Sequence, residues 1–268
     1  MTPTLDELTP AQQLGALART RAATDGSDVT VWWTGDVYAC APDAPYRHLF
    51  GFEGLNVARL VEVDGGYEML AREAAFYLDP RTREILETWH NPVTDQDVDV
   101  VHVWNDPVNQ RWLLDGARGP FRVPMTLLGD QVCFNLDIPL AYPSPLTVAD
   151  YPESSADDTY RALELFQFYA PASVLTDTTS TSVPHTLSWT RLSPWLPWMR
   201  MGRRPGGLAF HCRGRKLDGY DEVPGRTRAY IAERQPQYAS TPREWSEPNE
   251  TSWTYFSKLE PTTQGAAS

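Results

Sequence analysis

The chain has 268 residues and a net charge of −12, from 23 basic and 35 acidic side chains. Such a surface repels phosphate backbones and anionic lipid, which argues against nucleic acid and membrane surfaces as partners. Hydrophobic residues at 41% and aromatics at 12% suffice for a buried core and exclude wholesale disorder.

Residues 4–21 read as a helix. Thr4 and Glu7 fit a capping box, and Leu5, Leu8, Leu14 and Leu17 form an apolar stripe that would plug or brace a β structure. Ala22–Asp28 is small and polar, so residues 1–28 are taken as a helix and linker. From Val29 the pattern turns to strands. Val29–Tyr38 is β-branched and aromatic, and Gly54–Val63 and Tyr67–Leu78 flank the hairpin turn Asp64-Gly65-Gly66. Turns at Asp79-Pro80 and Asn91-Pro92 lead into Ile85–Trp89 and Val98–Asn105. Val123–Leu128 and Val132–Ile138 flank Gly129-Asp130, and Tyr160–Tyr169, Leu187–Leu192 and Leu208–Arg213 supply later strands.

Strands in short-turn series predict a mainly β, antiparallel domain over residues 29–258. It would be a calycin- or lipocalin-like barrel or a strongly curved sheet, because closure removes exposed edges. Ala141–Asp157 reads as a long proline-containing loop, Pro224–Gln235 as a short C-terminal helix, and residues 259–268 as a flexible tail. Cys40, Cys133 and Cys212 are dispersed and odd in number, so no disulfide framework is expected. The start of the chain lacks the basic and apolar regions of a signal peptide, and no run approaches a transmembrane length. A cytoplasmic setting without membrane insertion is the expectation.

Candidate chemistry concentrates in four places. Strand alternation places Met69, Ala71, Glu73, Ala75 and Tyr77 on one face. If that face points inward, Glu73 is a buried carboxylate with a raised pKa, and Tyr77 lies beside it. Asn56 lies on the preceding strand. The second place is Val100–Asn109, where His102 is either a satisfied core histidine or a general acid or base, with Trp104 and Asn105 nearby. The third is the tryptophan and methionine segment holding Trp189, Trp195, Trp198, Met199 and Met201, read either as core or as an apolar rim for a flat ligand. The fourth is residues 178–217, which contain Arg191, Arg200, Arg203, Arg204, Arg213, Arg215 and Lys216 and no acidic residue. That run is either a solvated face or a rim for an anionic group, with His211 and Arg213 as ligand contacts.

No GxGxxG after a strand, P-loop or GxSxG elbow is present, and the five histidines show no HxH or HExxH spacing, so neither cofactor nor metal is expected. The runs Leu49-Phe50-Gly51-Phe52-Glu53-Gly54-Leu55-Asn56 and His102-Val103-Trp104-Asn105-Asp106-Pro107-Val108-Asn109 resemble the domain-of-unknown-function family 1838. So do Arg72-Glu73, Tyr77-Leu78-Asp79-Pro80, Ser188-Trp189-Thr190, Pro194-Trp195 and His211-Cys212. The resemblance implies that these residues share a family-wide site and assigns none of them a catalytic role. The leading functional expectation is a cofactor-independent enzyme that holds a small apolar metabolite and promotes cyclisation, isomerisation or dehydration. His102, Glu73 and Tyr77 are its acid–base candidates. The rivals are a non-catalytic lipid or pigment carrier and a metal-dependent hydrolase or oxygenase.

Overall fold

Asp64 and Gly65 turn the chain between its two longest adjacent strands, and Gly65 takes φ 75°, a left-handed conformation that costs glycine little. The computed structural model describes residues 5–116 and 119–260. In chain order its strands are β1 (Val29–Cys40), β2 (Arg47–Val63), β3 (Gly66–Leu78), β4 (Thr88–Asn91), β5 (Gln96–Asp99), β6 (Val103–Asn105) and β7 (Gln110–Leu113). There follow β8 (Asp115–Gly116), β9 (Gly119–Pro120), β10 (Met125–Leu128), β11 (Gln131–Pro143), β12 (Thr159–Pro171), β13 (Thr186–Ser193) and β14 (Gly207–Leu217). The helices are α1 (Pro10–Arg21), α2 (Gly225–Arg234) and α3 (Ser252–Leu259).

Ten strands form one antiparallel sheet in the order β10-β11-β12-β13-β14-β1-β2-β3, with β6 and β7 both pairing the free edge of β3. Two meanders therefore meet where β1 pairs β14, in unbroken register from Thr30–Leu217 to Cys40–Gly207. The mainly β antiparallel expectation is met. Closure into a barrel is not seen: among the described residues β10 at one end and β6 and β7 at the other do not pair. The edge strands β6, β7 and β10 are only three to four residues long. Instead α3 reaches across, touching β6 and laying Trp253 edge-on against Tyr160 of β12, ring centres 4.7 Å apart.

α1 begins later than its sequence suggests. Thr9 caps it in a box with Gln12, and Pro10 occupies the first turn, where a missing N–H costs nothing. Thr4, the expected cap, lies outside the described residues, and Leu5–Glu7 forms a separate 3-10 turn. Leu8, Ala16 and Leu17 join the main core, as does Ala23 in the stretch read as a linker. Lys216 binds the end of α1 to the sheet: its Nζ donates to the carbonyls of Arg19 and Ala22 at 2.9 and 3.0 Å.

β2 and β3 are buried on both faces. Leu55, Val57, Ala74 and Phe76 pack outward under α2 with Ile231, while Phe52, Ala75 and Tyr77 face the main core. Gly54 lies opposite Trp33 in the β1–β2 register, and a methyl group there would meet the indole at 2.6 Å, so this glycine makes room for the ring. Within the proline-rich segment Pro194–Pro205, residues 195–199 and Met201 are buried, while Arg203, Arg204 and Pro205 are exposed. Trp195, Trp198, Met199 and Met201 are at most 6% exposed. Prolines keep the segment out of the sheet, yet its backbone is satisfied. Pro197–Met199 forms a 3-10 turn, Asn91 Nδ2 donates to the Met199 carbonyl at 2.7 Å, and Trp195 Nε1 donates to the Arg204 carbonyl at 3.1 Å. Among the described residues, no helix is long and apolar enough to cross a membrane. Of the predicted tail 259–268, all beyond Glu260 lies outside the described residues.

Candidate active site

Alternation along the curved strands projects every second side chain onto the concave face. From β11 these are Leu136, Ile138, Leu140 and Tyr142; from β12, Tyr160, Glu164, Phe166 and Phe168; from β13, Leu187, Trp189 and Arg191. β1 adds Val31 and Trp33, and Asn56, Glu73 and Asn105 complete the wall from β2, β3 and β6. Together with Trp253 they enclose a cavity of about 260 Å³. An inner recess of about 20 Å³, bounded by Glu73, Tyr77, Arg191, Trp33 and Trp189, is large enough for a water-sized group.

The polar groups gather at this inner end. Arg191 Nη1 lies 3.2 Å from Glu164 Oε1, and its Nη2 donates to the Tyr160 hydroxyl at 2.5 Å. Burial alone would lower the arginine pKa, but Tyr160, Glu164 and Tyr77 outweigh it and hold the guanidinium firmly charged. Glu73 accepts from Asn105 Nδ2 at 3.4 Å. Burial, followed by the negative charge of Glu164, raises its carboxyl pKa to about 7, against the opposing pull of Arg191, the Asn105 hydrogen bond and Arg21. Burial also raises the Tyr77 phenol, so it stays protonated and available as a hydrogen-bond donor. The cavity and its recess thus bring together an acid that ionises near neutrality, a neutral phenol and a charged arginine among aromatic and aliphatic walls. In that arrangement a proton can be exchanged with a substrate while water is excluded.

Five of the predicted site residues line these spaces: Asn56, Glu73, Tyr77, Asn105 and Trp189. The others do not. His102 is 4% exposed, and its Nδ1 accepts the Tyr77 backbone N–H at 3.2 Å. β6 begins only at Val103, opposite Ala75, so its pairing does not reach Tyr77, and the imidazole accepts the Tyr77 N–H instead. Packed against Phe76 and Tyr230, with burial lowering its pKa to about 4, His102 is neutral and structural in this position. Its neighbour Trp104 points the same way, stacked on Tyr230 at 6.3 Å. Trp195, Trp198 and Met199 are core. His211 and Arg213 are exposed on β14, because Phe210 and Cys212 between and beside them take the inward positions.

The basic run does not form one rim. Arg191 alone of it lines the cavity, Arg200 pairs Glu260, Arg215 pairs Glu222, and Lys216 holds α1. Asn109 is likewise structural: its Oδ1 accepts from Ala71 N, its Nδ2 donates to the Ser246 carbonyl, and its backbone exchanges two 2.8 Å bonds with the Asn249 side chain. Arg21, Tyr160, Glu164 and Trp253 are among the cavity residues that the sequence reading of the site did not include. The clue for Glu164 was available, since a carboxylate occupies an inward position between Tyr160 and Phe166–Phe168 on an otherwise apolar strand face.

The role of His102 makes a direct prediction. His102→Ala leaves the Tyr77 N–H buried without an acceptor, which costs on the order of 2 kcal/mol or more. His102→Gln restores an acceptor and recovers part of it. Thermal melting should fall for Ala and partly recover for Gln, with ligand binding per folded molecule kept in both. A loss of binding in a fully folded His102→Gln variant would return the histidine to the site.

No curated protein matches the chain. The family model described as Protein of unknown function (DUF1838) matches residues 26–260, a span holding the whole sheet and every cavity residue named above except Arg21. The chain belongs to the DUF1838 family.

Proposed function

We propose that the concave cavity binds a small, mainly apolar metabolite and that Glu73 acts on it as general acid or base in a cofactor-independent isomerisation, cyclisation or dehydration. The observation that supports this reading most is a carboxyl group lining both the cavity and its recess among aromatic side chains, with a pKa raised to about 7 and a hydrogen bond from Asn105. A carboxyl poised near neutrality gives and takes protons at the lowest combined cost. Tyr77 supplies a second proton donor, and Trp33, Trp189 and Phe166 supply flat walls that hold a substrate in one pose.

The second reading is a carrier, favoured by the aliphatic wall Leu136, Ile138 and Leu140, which offers shape but no chemistry. Mass spectrometry of molecules released from the native protein identifies the occupant class. Incubating the protein with a large molar excess of that molecule then separates the readings. An enzyme converts many equivalents into an isomer or dehydration product, whereas recovery of unchanged ligand at one equivalent per chain removes the catalytic reading and leaves the carrier.

A further inference from the structure

Arg21 is the one basic side chain among the described cavity residues that no carboxylate neutralises at ion-pair distance. Arg191, the other, is spoken for by Glu164 and Tyr160. Arg21 ends α1, where a cation complements the helix dipole, and its guanidinium lies over the Phe168 ring at 4.4 Å and within 5.9 Å of Trp112. Among the described residues no side-chain hydrogen bond from Arg21 is present, and Arg21 lines the cavity. Its surroundings are positive. Lys216 stands close enough for the two charges to oppose each other, and His185 is likewise held neutral, first by burial and then by Lys216 and Arg21. The negative charge that favours the protonated Arg21 is that of Glu73, whose carboxyl is itself largely neutral below about pH 7.

A buried guanidinium is costly to keep without a partner. Here the Phe168 ring packs against the guanidinium, and among the described residues no carboxylate lies at ion-pair distance from it. One planar fork with no second arginine beside it matches a single carboxylate, which accepts two parallel N–H bonds, better than a multiply charged phosphate. We infer that the ligand of this cavity is an amphipathic monocarboxylic acid, its carboxylate on Arg21 and its apolar body along Phe168, Phe166 and Trp189 toward Glu73. The inference rests on the reading of the cavity as a ligand site, but not on Glu73 being catalytic.

The probes are 2-naphthoate and 2-naphthamide, which share shape and differ in charge, with binding followed at pH 6 by quenching of tryptophan emission and by calorimetry. Wild type should bind the acid at least about tenfold more tightly than the amide, since a charge-assisted bidentate pair exceeds neutral hydrogen bonds by that much or more. Arg21→Met keeps the apolar stem on Phe168 and should bring the acid down to the amide's affinity, leaving the amide within about twofold. Arg21→Lys should retain part of the preference. Added salt should weaken the acid and not the amide. Equal binding of acid and amide by wild type overturns the inference while leaving the ligand site standing. So does a preference that survives in Arg21→Met. Should Arg21→Met fail to fold, the wild-type comparison and Arg21→Lys still decide. Failure of both probes to bind removes the ligand-site reading, and the carboxylate site with it.

Discussion

Glu73→Gln should lower turnover by roughly 10²–10⁴-fold and at the same time make the folded protein more stable at pH 8. In the fold the Glu73 pKa is raised from 4.5 to about 7. The native state therefore binds more protons than the unfolded chain between those values, and the stability present below pH 4.5 is lost as pH rises through 7. Gln keeps the shape and the hydrogen bond from Asn105 without the charge, so the variant escapes this loss. The difference at pH 8 is at most about 3 kcal/mol, at 1.36 kcal/mol per unit, and it vanishes below pH 4.5. His102 pulls the other way. Its pKa is lowered from 6.5 to about 4, so the unfolded state binds the extra proton and stability rises with pH across that window. His185, lowered to about 3, adds to the same slope. Chemical denaturation between pH 4 and 8 should thus give a wild-type profile that rises gently to about pH 6.5 and then falls slightly, and a Glu73→Gln profile that rises more steeply and levels off above pH 6.5. Parallel profiles would mean that Glu73 carries no burial cost in the fold. A gain in stability joined to a loss of turnover is the usual mark of a residue kept for function.

Arg191→Met is expected to be the most destabilising single change in the cavity. It leaves Glu164 facing Glu73 without its cation and strips the Tyr160 hydroxyl of its donor. Removing one partner of an enclosed pair costs about 3–5 kcal/mol, because the remaining charge has no partner. For a domain of this size that corresponds to a melting temperature lower by roughly 10 °C. The paired change Arg191→Met with Glu164→Gln should recover most of the loss, and the double-mutant cycle should show strong coupling. If the single variant melts within about 2 °C of wild type, Arg191 and Glu164 are an incidental surface pair and the polar end of the cavity needs another explanation.

How much of this was legible beforehand follows from the range over which each signal acts. Hairpins such as Asp64-Gly65 and alternation such as Met69 to Tyr77 are local, and both the paired strands and the inward face of β3 could be read from them. Glu73 was found because alanines flank it on that face. The same logic applied to β12 and β13 would have exposed Glu164 and Arg191 as charges on apolar faces. The two readings of His102 cannot be separated in sequence, because an imidazole accepting from an unpaired backbone N–H looks there like one facing a substrate. Core and rim readings of the tryptophan and methionine segment stay open in sequence because prolines signal a break in the sheet, not exposure or burial. Barrel closure depends on whether distant edges meet, and strand pattern is silent on that. Arg21 and Trp253 come from helices remote in sequence that reach the cavity only in the fold.

The central claim is that Glu73 ionises near neutrality inside the cavity, and this can be tested before any substrate is known. Titration of side-chain carboxyl carbons by NMR in protein labelled at glutamate, with Glu73→Gln identifying the resonance, reads the pKa directly. The structure predicts a midpoint near 7. A midpoint near 4.5, that of an ordinary glutamate, would contradict the account.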